Sequence, residues 1–235
     1  MTGARRTTAA PHNPPTRAYL HWYLLLEAAL LLAIQICKAR GVVGPAMNAL
    51  MYSTIAVNTI VVLAWGCTCP AGLASHRTWA LAAGLLVTAL ADVCLTLLAI
   101  DRLILPGVLL FCAVQTLYAV YLGLSGRALL ARLLACAVAL LLPAVLGQPS
   151  LLAAAGALDI ALLLCNVVQA WCQPNARAFA LGLTLFLACD LCVGLDALAL
   201  GATSTAASFL VWLFYAPAQV LITLTFVREV EAAAR

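Results

Sequence analysis

Apolar residues run along this chain in blocks separated by short stretches rich in glycine, proline and charge. Each block approaches the ~20 residues an α-helix needs to cross a bilayer. The blocks predict eight helices: Arg17 to Cys37, Ala46 to Trp65, Trp79 to Ile100, Pro106 to Gly123, Ala128 to Leu146, Leu151 to Trp171, Arg177 to Leu200 and Ala206 to Arg228. The breaks carry turn chemistry at Gly41-Val-Val-Gly44-Pro45, Cys69-Pro70-Ala-Gly72, Ser125-Gly126, Gly147-Gln-Pro149 and Gln173-Pro174-Asn175. Between the third and fourth helices the pattern leaves only a tight corner at Asp101-Arg102.

Polar residues inside the blocks recur at steps of three or four, which gathers them onto single helical faces. Thr88, Asp92 and Thr96 form one stripe, Gln115 and Tyr118 a second, and Asp159, Asn166 and Gln169 a third. Ser208, Tyr215, Gln219 and Thr223 mark the last helix, while Tyr23, Glu27 and Gln35 mark the first and Asn48, Tyr52 and Thr59 the second. Such faces are expected to look inward. The fifth helix has no polar residue after Arg132, so an outer, lipid-facing place is expected for it.

Composition turns these blocks into a membrane protein rather than a set of buried soluble helices. Hydrophobic residues make up 66%, charged residues 9%, and mean hydropathy is +1.11, whereas soluble domains carry about a quarter charged residues. The expected fold class is an all-α integral membrane protein with a single bundle of about eight transmembrane helices. Residues 1–17 are expected to form a disordered cytoplasmic tail, 18–228 the bundle, and 229–235 a second cytoplasmic tail. Basic residues divide nine to three between the two sides: Arg5, Arg6, Arg17, Arg77, Arg127, Arg132, Arg177, Arg228 and Arg235 against Lys38, Arg40 and Arg102. The positive-inside rule then places both termini in the cytoplasm, with a bacterial plasma membrane as the expected setting.

The net charge of +4 follows from that bias and gives no reason to expect a nucleic-acid partner. Most of the 10 cysteines lie mid-helix, where a thiol behaves as a small apolar side chain. Cys189 and Cys192 share one helical face, but no histidine is placed to complete a metal set. Cys67-Thr-Cys69 is too closely spaced for a usual zinc knuckle. No metal is expected.

Chemistry concentrates at the carboxylates. Asp92 and Asp190 each lie within an otherwise almost uncharged span. A charge at membrane depth costs about 2.5 to 3.5 kcal/mol on insertion scales and marks a functional site by default. Neutral Thr, Asn, Gln and Tyr serve as interhelical hydrogen-bond groups worth about 0.6 kcal/mol each, so they point to chemistry only beside an acid. Glu27 and Asp159 are candidates to line a polar cavity or to pair with a neighbouring helix.

Several motifs in order resemble one family. Ala91-Asp92-Val-Cys-Leu-Thr-Leu is followed by Gly107-Val-Leu-Leu-Phe111-Cys-Ala-Val-Gln115-Thr-Leu-Tyr118, then Gly182-Leu-Thr-Leu-Phe186-Leu-Ala-Cys-Asp190, then Phe214-Tyr215-Ala-Pro-Ala-Gln219-Val-Leu-Ile222. This series, over roughly residues 40 to 228, resembles the YhhN, or lysoplasmalogenase, membrane family. The chain departs from that pattern in carrying Gly44-Pro45 where Lys-Pro is usual, with Lys38 six residues earlier, Gln115 where His is common, and Ala91 where Gly precedes the acid.

The resemblance implies hydrolysis of the vinyl ether of a lysoplasmalogen to a fatty aldehyde and a glycerophospho-base, without a cofactor. It implies Asp92 and Asp190 as the catalytic pair and Gln115, Tyr118, Tyr215 and Gln219 as substrate-binding donors, with a membrane lipid or lysophospholipid as partner. An enol ether needs one acid and one base or stabilising anion, and two close carboxyls sharing one proton supply both. Two other expectations stand beside it: a small proton-coupled transporter, whose relay groups are buried acids, and a non-catalytic membrane protein of the same fold.

Overall fold

A computed structural model describes residues 17–198 and 205–233. The chain forms α1 (Arg17–Ala39), α2 (Pro45–Thr68), α3 (His76–Asp92), α4 (Asp101–Leu122), α5 (Gly126–Val145), α6 (Leu151–Trp171), α7 (Arg177–Leu198) and α8 (Thr205–Ala233). Short 3-10 turns, Pro70–Ala74 and Pro174–Ala176, precede α3 and α7, and a π-helical turn, Val93–Leu98, extends α3. No strand occurs among the described residues. Eight helices among them are long and apolar enough to span a membrane, so this is a multi-pass integral membrane protein.

The helix starts follow local chemistry. The hydroxyls of Ser75, Ser125 and Ser150 accept from the amides of Arg77, Ala128 and Ala153, capping α3, α5 and α6. At α2, Pro45 takes the first position, where its missing N–H is no loss. The expected corner at Asp101-Arg102 falls instead at Ala99-Ile100. Ala99 adopts the left-handed conformation at φ 47° and turns the chain, and Asp101 opens α4, where an acidic side chain complements the helix dipole. Pro106, expected to begin the fourth helix, therefore lies inside it.

Beyond Arg228 the structure corrects a second boundary. Residues 229–233, expected as tail, continue α8. Tyr121 donates to Glu229 at 3.0 Å and Trp65 to Glu231 at 3.4 Å, while Val230 is fully buried against Gly72. The two acids are thus held by hydroxyl and indole donors, so their charge does not end the helix. Residues 1–16 of the expected N-terminal tail, the end of the expected seventh span at 199–200 and residues 234–235 of the expected C-terminal tail lie outside the described residues.

A Cβ on Gly72 would stand 2.9 Å from the Val230 Cα, a backbone atom that cannot step aside. Gly72→Val is therefore expected to cost about 1–3 kcal/mol. A lowered unfolding temperature in detergent, with protease cutting appearing first near residue 230, is the readout; an unchanged unfolding temperature contradicts this packing.

Packing divides the bundle into hairpins. α3 with α4 and α7 with α8 are the most extensively packed pairs, and α8 also lies against α1, α2 and α3. Among the described residues α5 packs against α6 alone, the outer position expected for it. Aromatic rings meet edge to face between the two main hairpins, Phe111 on Phe186 and Tyr118 on Phe179, and within the second, Phe186 on Tyr215, each at 5.4 Å between centroids. Gly84 leaves room for the Tyr118 ring, and Gly182 lets Ile222 of α8 approach α7.

Candidate active site

Three acids come from three helices at one level of the bundle. Asp92 ends α3, Asp190 lies in α7 and Asp159 in α6. Each stands about two turns from the end of the bundle opposite Arg17 and Ala233. Asp92 is 3% exposed and Asp159 6%, while Asp190 is partly buried with its Oδ2 enclosed.

Asp92 is held from two sides. The Tyr215 hydroxyl of α8 donates a short hydrogen bond to its Oδ2, and Thr96 donates to its Oδ1 at 3.2 Å. Thr96 lies in the π-helical turn, a wider geometry common at functional sites. Asp190 interacts electrostatically with both Asp159 and Asp92. Asp190 Oδ2 and Asp159 Oδ1 are both enclosed and have no hydrogen-bond partner. The three acids do not converge as metal ligands would: among the described residues no such group of donors occurs. All ten thiols are free.

The expected substrate-binding donors separate. Tyr118 is fully buried, with Thr88 beside its hydroxyl and Asp92 within electrostatic range. Gln219 lies one turn beyond Tyr215 on α8, with its Nε2 buried and unpartnered. Gln115 is engaged elsewhere. Its Oε1 and its backbone carbonyl accept from Asn166 at 3.1 and 2.8 Å, and the Asn166 Oδ1 accepts from Arg132 at 2.5 Å. This chain of bonds braces α4, α6 and α5.

Glu27 also stands apart from the aspartates. Asn58 donates to its Oε1 at 2.9 Å, and Tyr23 donates to Asn58 at 2.7 Å, joining α1 to α2. Of the two expectations for Glu27, pairing with a neighbouring helix is the one seen. Asp159 lies instead within electrostatic range of Asp190.

A groove of about 590 Å³ does not coincide with the acids. It runs between α1 and α2, lined by Trp22, Leu26, Val57 and Ile60 among others. Its lining carries the hydroxyls of Tyr19, Tyr23 and Thr68 but no carboxylate, so the candidate site is assigned from the aspartates. A signal that pairs the two acid helices was present in the residues: Gly84-Leu-x6-Asp92-x-Cys94 and Gly182-Leu-x6-Asp190-x-Cys192 share one pattern. In both, the glycine is where the following helix approaches closely.

The model of the YhhN family matches residues 48–226, from early α2 to late α8. No curated protein and no solved structure matches the chain.

Proposed function

The chain belongs to the YhhN family, and on that premise we propose that it is a membrane-embedded hydrolase that cleaves the vinyl ether of a lysoplasmalogen. The products are a fatty aldehyde and a glycerophospho-base. The observation that carries this reading is the meeting of Asp92, Asp190 and Asp159 at membrane depth, with Tyr215 bonded to Asp92.

The chemistry follows from the donors. An enol ether breaks when a proton is added to its terminal vinyl carbon, leaving an oxocarbenium ion that water captures. The resulting hemiacetal loses the glycerol oxygen as an alcohol and leaves the aldehyde. Asp92 accepts two hydroxyl hydrogen bonds, the setting of an ionised carboxylate, and serves as the anion that stabilises the cation and takes a proton from water. Asp190, beside two other acids and with an unpartnered Oδ2, carries the proton delivered to carbon. Asp159 shares and returns that proton. Tyr118 and Gln219 orient substrate and water, and the single hydrocarbon chain stays among the lipid tails.

Purified protein in detergent, given a lysoplasmalogen, is expected to release aldehyde without any added cofactor. Gln219→Ala should lower the rate by less than about 10², since it loses an orienting contact rather than a proton-transfer group. No release on any vinyl ether overturns the hydrolase reading, and proton-coupled flux in liposomes would then support a carrier. We also place both termini in the cytoplasm, from the nine-to-three division of basic residues; cysteine labelling of either terminus from outside the cell would reverse this.

A further inference from the structure

Lys38 stands on the buried face of α1. Tyr23, Glu27 and Ile34 are all buried, and steps of four, seven and four residues from Tyr23 to Lys38 keep to one side of a helix. The ammonium is therefore turned toward the bundle. It donates to the Ser208 hydroxyl of α8 at 2.5 Å, and the neighbouring Gln35 donates to the Phe209 carbonyl at 3.2 Å. Among the described residues no carboxylate pairs with it. A lysine at the end of a membrane bundle whose partner is a neutral hydroxyl has no anion of the chain to pair with, and a phosphate is the group whose charge and acceptor oxygens match it.

Depth supplies the second argument. Ser208 precedes Tyr215 by seven residues, two turns and about 10 Å along nearly the same face of α8. Tyr215 holds Asp92. In a lysophospholipid with a vinyl ether at sn-1, six bonds separate the vinyl carbon on oxygen from the phosphorus, about 7 Å when extended, as in two residues of extended backbone. A hydrogen bond adds about 3 Å. The sum matches the step along α8 from Tyr215, which holds Asp92, to Ser208, which holds Lys38.

The geometry points to Lys38 as the residue that binds the phosphate of the substrate headgroup and so sets the preference for a phosphate-bearing alkenyl lysolipid over a neutral alkenylglycerol. This assignment rests on the hydrolase reading above. Arg40 and Arg102 lie at the same end but are exposed, so neither is directed at the site.

The test compares wild type, Lys38→Gln, Lys38→Arg and Arg40→Gln on two micellar substrates, an alkenyl-glycerophosphoethanolamine and the matching alkenylglycerol. Wild type should prefer the phosphate-bearing substrate through KM. Lys38→Gln should erase that preference, raising KM for it about 10- to 100-fold with little change in kcat, the worth of one charged hydrogen bond. Lys38→Arg should keep most of it, and Arg40→Gln all of it. Equal losses on both substrates with Lys38→Gln would mean a purely structural clasp and overturn the proposal.

If wild type hydrolyses neither substrate, the hydrolase reading fails and binding decides the lysine. A non-cleavable alkyl-ether lysophospholipid should then bind wild type at least 10-fold more tightly than Lys38→Gln, by tryptophan fluorescence. Equal affinities overturn the phosphate site. Inorganic phosphate binding as tightly as the lipid would also overturn it as a lipid-headgroup site.

Discussion

Asp92→Asn and Asp190→Asn should each lower aldehyde release by about 10² to 10⁴, the usual effect of losing a general acid or base. The amide keeps the shape and polarity of the carboxyl but cannot carry the proton to carbon or take one from water. At position 92 its oxygen can still accept from one of Tyr215 and Thr96 while its NH2 donates to the other hydroxyl, so the fold should survive. Size-exclusion profile and unfolding temperature in detergent provide that control. The double variant should be scarcely worse than either single one, because either loss stops the same step. Asp159→Asn should fall between these and Gln219→Ala, since it shares the proton without delivering it. Wild-type rates in both single Asn variants would remove the aspartates from the mechanism and leave their cluster as a relay or a structural feature.

The spans were legible because the bilayer is a demanding solvent: backbone polar groups must be satisfied within each crossing segment, and polar side chains must turn inward. Thr88 with Asp92, Gln115 with Tyr118, Asp159 with Asn166, and Tyr215 with Gln219 and Thr223 are all buried as their spacing required. What spacing does not contain is the neighbour on the other side. Gln115 and Tyr118 share a face of α4, yet Gln115 meets Asn166 of α6 while Tyr118 meets Phe179 of α7. Their expected common duty at the substrate therefore divides. In the same way Asp159 and Glu27 looked alike as lone acids, and only the packing of α6 against α7 and of α1 against α2 gives them different companions.

Helix ends were misread where one chemical signal concealed another. Pro106 suggested a start, but the turn is made earlier by Ala99. The charged run Arg228-Glu229-Val230-Glu231 suggested a solvated tail, but Tyr121 and Trp65 reach the two acids and Val230 enters the core. The first error concerns a left-handed turn made without a glycine, and the second concerns tertiary partners that no local pattern carries.

The largest stability loss is expected at Asn166→Leu. Arg132 is 6% exposed and donates to Asn166, its Nε has no partner, and no carboxylate neutralises it among the described residues. Removing the asparagine leaves a guanidinium without an acceptor inside the bundle and takes away the bonds to Gln115, which should cost about 3–5 kcal/mol, as when one partner of a buried charged pair is deleted. Arg132→Met should cost less, because the charge leaves with its partner's need for it. The double variant Arg132→Met/Asn166→Leu should be more stable than Asn166→Leu alone, a reversal of the usual order in which added substitutions add damage. Since among the described residues α5 packs only against α6, the single variant should release α5 first, seen as fast amide exchange in residues 126–145 before the rest of the bundle opens. If the double variant is the less stable one, the arginine is neutralised in the membrane by a group outside the chain, such as a lipid phosphate, and the brace stabilises through packing rather than through the charge.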